Sequence, residues 1–253
     1  MRTVPGIIAG LAIVAAFGAA DPMAALEVRV SSGKESVVVA DNGEGDANAE
    51  KGSIQYSGQI NGFDVRLLAS EEGIPGRQHG LTLSGVPEGS DPQQLLVING
   101  GDVGAIAFEV TSSAFDPLGP RTRTQMHYQG RFIDTADVNT RPNVTRNRLS
   151  VQLGGVAAGE IDSPPLQTDA QEQVFDQTAK PADVDGEAKT MTARLDLTMS
   201  AGNALALDEA RLTTTALESE FPLTALLWGG GAAVAVLGAA LFLALRPRRR
   251  QRS

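Results

Sequence analysis

Between residues 26 and 220 the chain alternates apolar and polar positions with a period close to two almost throughout. Leu26-Glu27-Val28-Arg29-Val30 is a clean example, and Val37-Val38-Val39 is a short β-branched run. A period of two places alternate side chains on opposite faces of an extended strand, so each such run predicts a half-buried strand. Ile54-Gln55-Tyr56 runs on to Ile60, Asn61-Gly62 supplies a tight-turn signal, and Phe63-Asp64-Val65-Arg66-Leu67 follows. This pattern predicts a hairpin over residues 53–69. Further strands are predicted over 81–83, 95–98, 105–110, 125–133, 149–153, 191–199, 204–207 and 212–215. Met126, Tyr128 and Phe132 share one face of their strand, as do Ala193, Leu195, Leu197 and Met199. Around ten short strands punctuated by Gly, Pro, Asn and Asp predict an all-β fold, an antiparallel β-sandwich spanning residues 26–220.

The pattern fails between residues 154 and 190, which hold eight acids, two bases and few large apolar side chains. That composition predicts a long acidic loop, with a short helix over 169–178 as the alternative. The two ends depart differently. Residues 1–20 read as an N-terminal signal peptide: Arg2, an apolar stretch through Phe17, then Gly18-Ala19-Ala20, with Ala25 as a second cleavage position. Residues 223–245 carry no charge. At about 1.5 Å per residue they would form a transmembrane helix of roughly 34 Å, enough for a hydrocarbon core of about 30 Å. Trp228 suits the outer interface, and Arg246, Arg248, Arg249, Arg250 and Arg252 form a basic tail over 246–253 that should stay cytoplasmic. The expected topology is single-pass in the cell membrane, with the N-terminal domain outside, periplasmic or at the cell surface, and open to release after processing.

Composition narrows the chemistry. The chain has no Cys, which excludes disulfides, thiol nucleophiles and cysteine-ligated metals. No G-x-S-x-G, H-E-x-x-H or P-loop motif is present. His79 and His127 are the only histidines, and both read as surface polar residues. An envelope hydrolase built on either is therefore disfavoured, because no nucleophile, base and orienting group can be named. Asp41, Glu44, Asp46 and Asn48 cluster oxygen ligands with glycines as calcium loops do, without the EF-hand spacing. A solvated hairpin loop is the preferred reading of them, and no other cofactor is indicated.

Charge is unevenly spread. Residues 121–148 contain Arg121, Arg123, Arg131, Arg141, Arg146 and Arg148 against only Asp134 and Asp137, within an otherwise acidic domain. Two readings stay open: an anion-binding face for acidic polysaccharide, or internal pairing with surrounding acids. Nucleic acid does not fit an acidic exported domain.

Two stretches resemble a known group. Phe221-Pro222-Leu223-Thr224-Ala225-Leu226-Leu227-Trp228, the apolar span and the basic tail resemble the C-terminal sorting signal of PEP-CTERM-type exported proteins, in their V-P-L-P-A variant. Phe221 and Thr224 depart from that motif. Val37 through Asn48, then Gly52 to Gly58 and Gly62 to Val65, resemble a recurrent opening in exported proteins of that group. The resemblance implies inner-membrane passage, recognition of Pro222, Leu223, Trp228 and the arginines by an exosortase-type peptidase, and a place at the surface or in the exopolysaccharide matrix. The expectation is a non-enzymatic cell-envelope or extracellular-matrix protein with envelope proteins or polysaccharide as partners. The alternative is a single-span accessory subunit of a membrane complex, docking through Gly231, Ala235 and Ala239.

Overall fold

In the first strand Leu26, Val28 and Val30 are fully buried while Glu27 and Arg29 face water. That rule, one face for the core and one for solvent, generates the domain. The computed structural model describes residues 26–88, 91–102, 104–134, 144–162 and 172–217. Among them are fourteen strands and no helix. The first seven are β1 Leu26–Ser32, β2 Glu35–Ala40, β3 Ser53–Ile60, β4 Phe63–Ile74, β5 Gln78–Glu88, β6 Asp91–Asn99 and β7 Gly104–Leu118. The second seven are β8 Arg121–Asp134, β9 Val144–Leu153, β10 Val156–Asp162, β11 Glu172–Thr178, β12 Ala182–Asp185, β13 Ala188–Met199 and β14 Asn203–Ala216.

They form two sheets, every pairing antiparallel. Sheet A has the order β10-β9-β13-β7-β1-β2. Sheet B has the order β11-β8-β14-β5-β6-β4-β3, with β12 also on β8. The inner faces enclose one apolar core that includes Phe63, Phe108, Tyr128 and Phe132, the β-sandwich expected from the alternation. β5 and β6 share one slot between β14 and β4: β4 pairs β5 from Leu67 to Ile74 and β6 from Phe63 to Val65.

The predicted hairpin forms as β3–β4, with Ile60 opposite Phe63. Its turn residues Asn61 and Gly62 have φ of 46° and 84°. A two-residue turn with both φ positive follows the twist of the strands, and Asn-Gly tolerates that conformation best. The strands predicted at 204–207 and 212–215 are one strand, β14, carried through a bulge between Leu207 and Glu209.

The long acidic loop is corrected. Within residues 154–190 the chain forms β10, β11, β12 and the start of β13, and β11 replaces the alternative helix. Each strand contributes few core residues, Ala158 and Ile161 from β10, Phe175 from β11 and Val184 from β12. Phe175 packs on Tyr128 and Phe132 with ring centroids 4.7 and 5.2 Å away. Five acids of this stretch meet arginines of β8 and β9: Glu160 and Asp162 meet Arg148, Glu172 meets Arg131, Asp183 meets Arg123 and Asp185 meets Arg121.

No helix among the described residues is long and apolar enough to cross a membrane. The signal peptide (1–20 or 1–25), Pro222, Leu223, Trp228, the span 223–245 with Gly231, Ala235 and Ala239, and the tail arginines Arg246, Arg248, Arg249 and Arg250 lie outside the described residues.

Candidate functional site

At one end of the sandwich, polar side chains continue rows that are apolar elsewhere. On β4 the inward row Phe63, Val65, Leu67, Ala69 is extended by Glu71. On β5 Leu81 and Leu83 are preceded by His79, and on β7 Phe108 and Val110 are followed by Ser112. β4 and β5 belong to sheet B and β7 to sheet A, so the three residues meet across the interior.

They form a hydrogen-bond chain. The Ser112 hydroxyl donates to Glu71 Oε2 at 2.6 Å, and His79 Nε2 lies 2.9 Å from Ser112 Oγ. A carboxylate only accepts and a hydroxyl has one proton, so Nε2–H donates to the serine and Nδ1 is left as an acceptor. The imidazole also stacks on Phe115, with centroids 4.0 Å apart and planes 13° from parallel. Burial lowers the His79 pKa to about 4, so the ring is neutral near pH 7. His79 is 6% exposed, which corrects its expected place on the surface.

The chain borders a cleft of about 430 Å³ between the β4–β5 turn, Lys51-Gly52 ahead of β3, and Phe115-Asp116 on β7. Glu71, Glu72, Asp116 and Gln78 offer acceptors there, Lys51 is the one cation of the lining, and Ile74, Pro75 and Phe115 supply apolar wall. Ile74 is 54% exposed. Glu72 points outward and pairs with Arg211 on β14, across β5. Gly80 makes that reach available: a Cβ there would lie 3.2 Å from Glu72 Cγ and 3.3 Å from Leu212 O.

The order Glu–Ser–His is not that of a hydrolase triad. In a triad the histidine takes the serine proton and the carboxylate orients the histidine. Here the serine proton goes to the carboxylate, and Ser112 is fully buried. His127 faces outward on β8, as its position between Met126 and Tyr128 predicts. Its Nε2 lies 2.9 Å from Asp176 and its Nδ1 3.4 Å from Glu209.

The arginine set resolves into ion pairs. Arg123 forms two bonds to Asp183, at 2.7 and 3.1 Å, and Arg121 lies 3.2 Å from Asp185. Arg148 forms two bonds to Asp162, at 2.7 and 3.1 Å, and also approaches Glu160; Arg131 meets Glu172 at 3.2 Å. The Arg123 bond holds the Asp183 carboxyl below its usual range, and the Arg148 bond does the same to Asp162. Arg146 is exposed and adds its charge to the field at Asp162. Arg141 lies outside the described residues. Of the two open readings, internal pairing accounts for these four arginines.

The calcium candidates serve their own loop. Asp46 Oδ1 accepts the amides of Asn48 and Gln55, and its Oδ2 accepts Asn42 N–H, each at 2.9 Å. Asp41 accepts Gly52 N–H at 2.8 Å, and Asn48 Oδ1 accepts Glu50 N–H at 3.0 Å. Glu44 is exposed. The carboxylate lone pairs are directed at backbone donors, and no group of three or more His, Asp or Glu suited to a metal occurs among the described residues.

The pattern-based reading passed over Glu71 and Ser112 and placed His79 outside. The signal was their parity: each falls in step with the apolar row beside it.

No family model matches the chain, and no curated protein matches it. Solved structures give distant likenesses. The Stig cyclase Fisc from Fischerella sp. TAU, in complex with an indole derivative, has TM-score 0.38 and 12% identity, over 66% of this chain and 86% of that one. TmCBM61 in complex with β-1,4-galactotriose has TM-score 0.28 and 9% identity, over 73% and 86%. A family 35 carbohydrate binding module from an environmental isolate has TM-score 0.26 and 17% identity, over 60% and 98%. All three TM-scores are below 0.5 and identify no shared function.

Proposed function

We propose that this chain is a non-enzymatic binding protein of the cell envelope or extracellular matrix that takes a saccharide chain in the cleft at the β4–β5 turn. It is exported by the segment 1–20, held by a helix over 223–245, and presented to an exosortase-type peptidase through Pro222, Leu223 and Trp228. The observation that supports this reading is the cleft itself, whose acceptors are fixed from both sheets beside an apolar wall, with Ser112 too buried to attack a substrate. Carboxylates and amides bind hydroxyl groups by accepting their protons, and Ile74, Pro75 and Phe115 suit the C–H face of a sugar ring. Because four of the six arginines are paired with acids and the cleft is acidic, uncharged or basic glycans fit better than the acidic polysaccharide that the arginine run suggested.

One preparation tests the reading. The protein is recovered from native membranes and from culture medium, weighed intact, and passed over immobilised neutral, basic and acidic polysaccharides. Expected are loss of the first 20 to 25 residues, retention on a non-acidic glycan, and recovery of that glycan unchanged. Turnover of the glycan would overturn the non-enzymatic assignment. A membrane-bound species retaining Arg252, co-purifying with a stoichiometric protein partner and binding no glycan, would replace it with the accessory-subunit alternative.

A further inference from the structure

We infer that the cleft selects a saccharide bearing a primary ammonium group, a 2-amino-2-deoxyhexose, over its neutral counterpart; this rests on the saccharide-binding reading above. The direction of the hydrogen bonds carries the argument. Glu71 accepts from Ser112, Ser112 accepts from His79 Nε2, and the chain ends at Nδ1 with a bare lone pair. His79 is more than nine-tenths buried and lines the cleft, and its Nδ1 is not among the buried atoms left without a partner, so water in the cleft reaches that lone pair. A guest that presents a donor there replaces the water.

The charge of the lining decides which donor. Glu72 is neutralised by Arg211, whereas Glu71 and Asp116 form no ion pair among the described residues. Against these two carboxylates stands Lys51. A hydroxyl brings one donor and no charge. An ammonium brings three donors and a positive charge, which suit a lining of acceptors that includes two carboxylates outside any ion pair, and charge-assisted bonds of this kind are about twice as strong as neutral ones. The exposed Ile74 and the adjoining Pro75 then pack the ring. An N-acetyl group removes the charge and two of the three donors while leaving the ring intact, so acetylation isolates the ammonium contribution.

The full chain, solubilised in a sugar-free polyoxyethylene detergent, is titrated calorimetrically at about pH 6 with an oligomer of β-1,4-linked glucosamine and with its fully N-acetylated form. The amine is protonated there while His79, with a pKa of about 4, stays neutral. The amino oligomer is expected to bind about tenfold more tightly or better. Asp116→Asn, at an exposed position, should weaken the amino oligomer about threefold more than the acetylated one. Lys51→Ala should raise the preference for the amino oligomer. Equal binding of both oligomers, or indifference of the amino oligomer to both substitutions, overturns the ammonium inference and leaves the saccharide reading standing. Binding of neither oligomer overturns both.

Discussion

Beside β8 and β9, Asp185 stands opposite Arg121, Asp183 opposite Arg123 and Asp162 opposite Arg148 in the strand registers. Each charge there has its complement one strand away, in water. At the β4–β5 end, Glu71, His79 and Ser112 come from three strands and two sheets, and their acceptors outnumber their donors. The first region is conspicuous in the sequence and cancels itself; the second is inconspicuous and turns an acceptor toward a cleft. A run of like charge along a strand therefore says little about binding until its neighbours are known. Polar residues in core-facing rows say more, because burial makes each unpaired group costly.

The sharpest way to break this contrast is Ser112→Ala, which leaves His79 Nε2–H and Glu71 without their shared partner inside the domain. The expected loss is about 2–3 kcal/mol of unfolding free energy by urea denaturation at neutral pH. A loss under about 0.5 kcal/mol would mean that the chain of hydrogen bonds is incidental.

Next in size is the pH dependence. Below about pH 6.5 the unfolded chain protonates its histidine, while folded His79 refuses the proton until about pH 4. Stability should therefore be complete above pH 6.5 and fall as pH drops toward 4. Linkage allows at most ~3 kcal/mol, which screening at the cleft mouth reduces to ~2 kcal/mol. His79→Gln should flatten that window and no other. The depressed carboxyls of Asp162 and Asp183 act elsewhere: their contribution is present above the ordinary carboxylate pKa of 3.8 and lost only as pH falls below it. Urea midpoints measured across pH separate the two regions.

The smallest effect belongs to the arginine edge. Asp183→Asn, at a solvent-screened pair, should leave the urea midpoint unchanged within error at physiological salt. A clear drop would show that β12 depends on this pair to stay on β8.

Much of the fold was legible. Asn61-Gly62 fixed a turn type and with it the β3–β4 register, and the faces of β8 and β13 followed from parity alone. β10, β11 and β12 were not legible, because β11 and β12 each bury a single larger apolar residue, Phe175 and Val184, and β10 only Ala158 and Ile161. Their partner arginines were visible as a run, but which acid faces which arginine depends on a register between segments that no local pattern encodes. His79 was misplaced for a related reason. A single imidazole between Gln78 and Gly80 looks like a loop residue until β5 is seen to begin at Gln78.

Alternation by itself determined that this chain is a two-sided β protein, since a side-chain period of two needs no long-range information. The uncharged span 223–245 and the arginines after it are likewise matters of composition and order alone. Only the tertiary structure decided that a basic run and an acidic run cancel, and that Glu71, Ser112 and His79, 33 and 41 residues apart along the chain in their two hydrogen bonds, share a line of protons. Hydrogen bonds and ion pairs act over a few ångströms, and those distances between remote segments exist only once two sheets have packed.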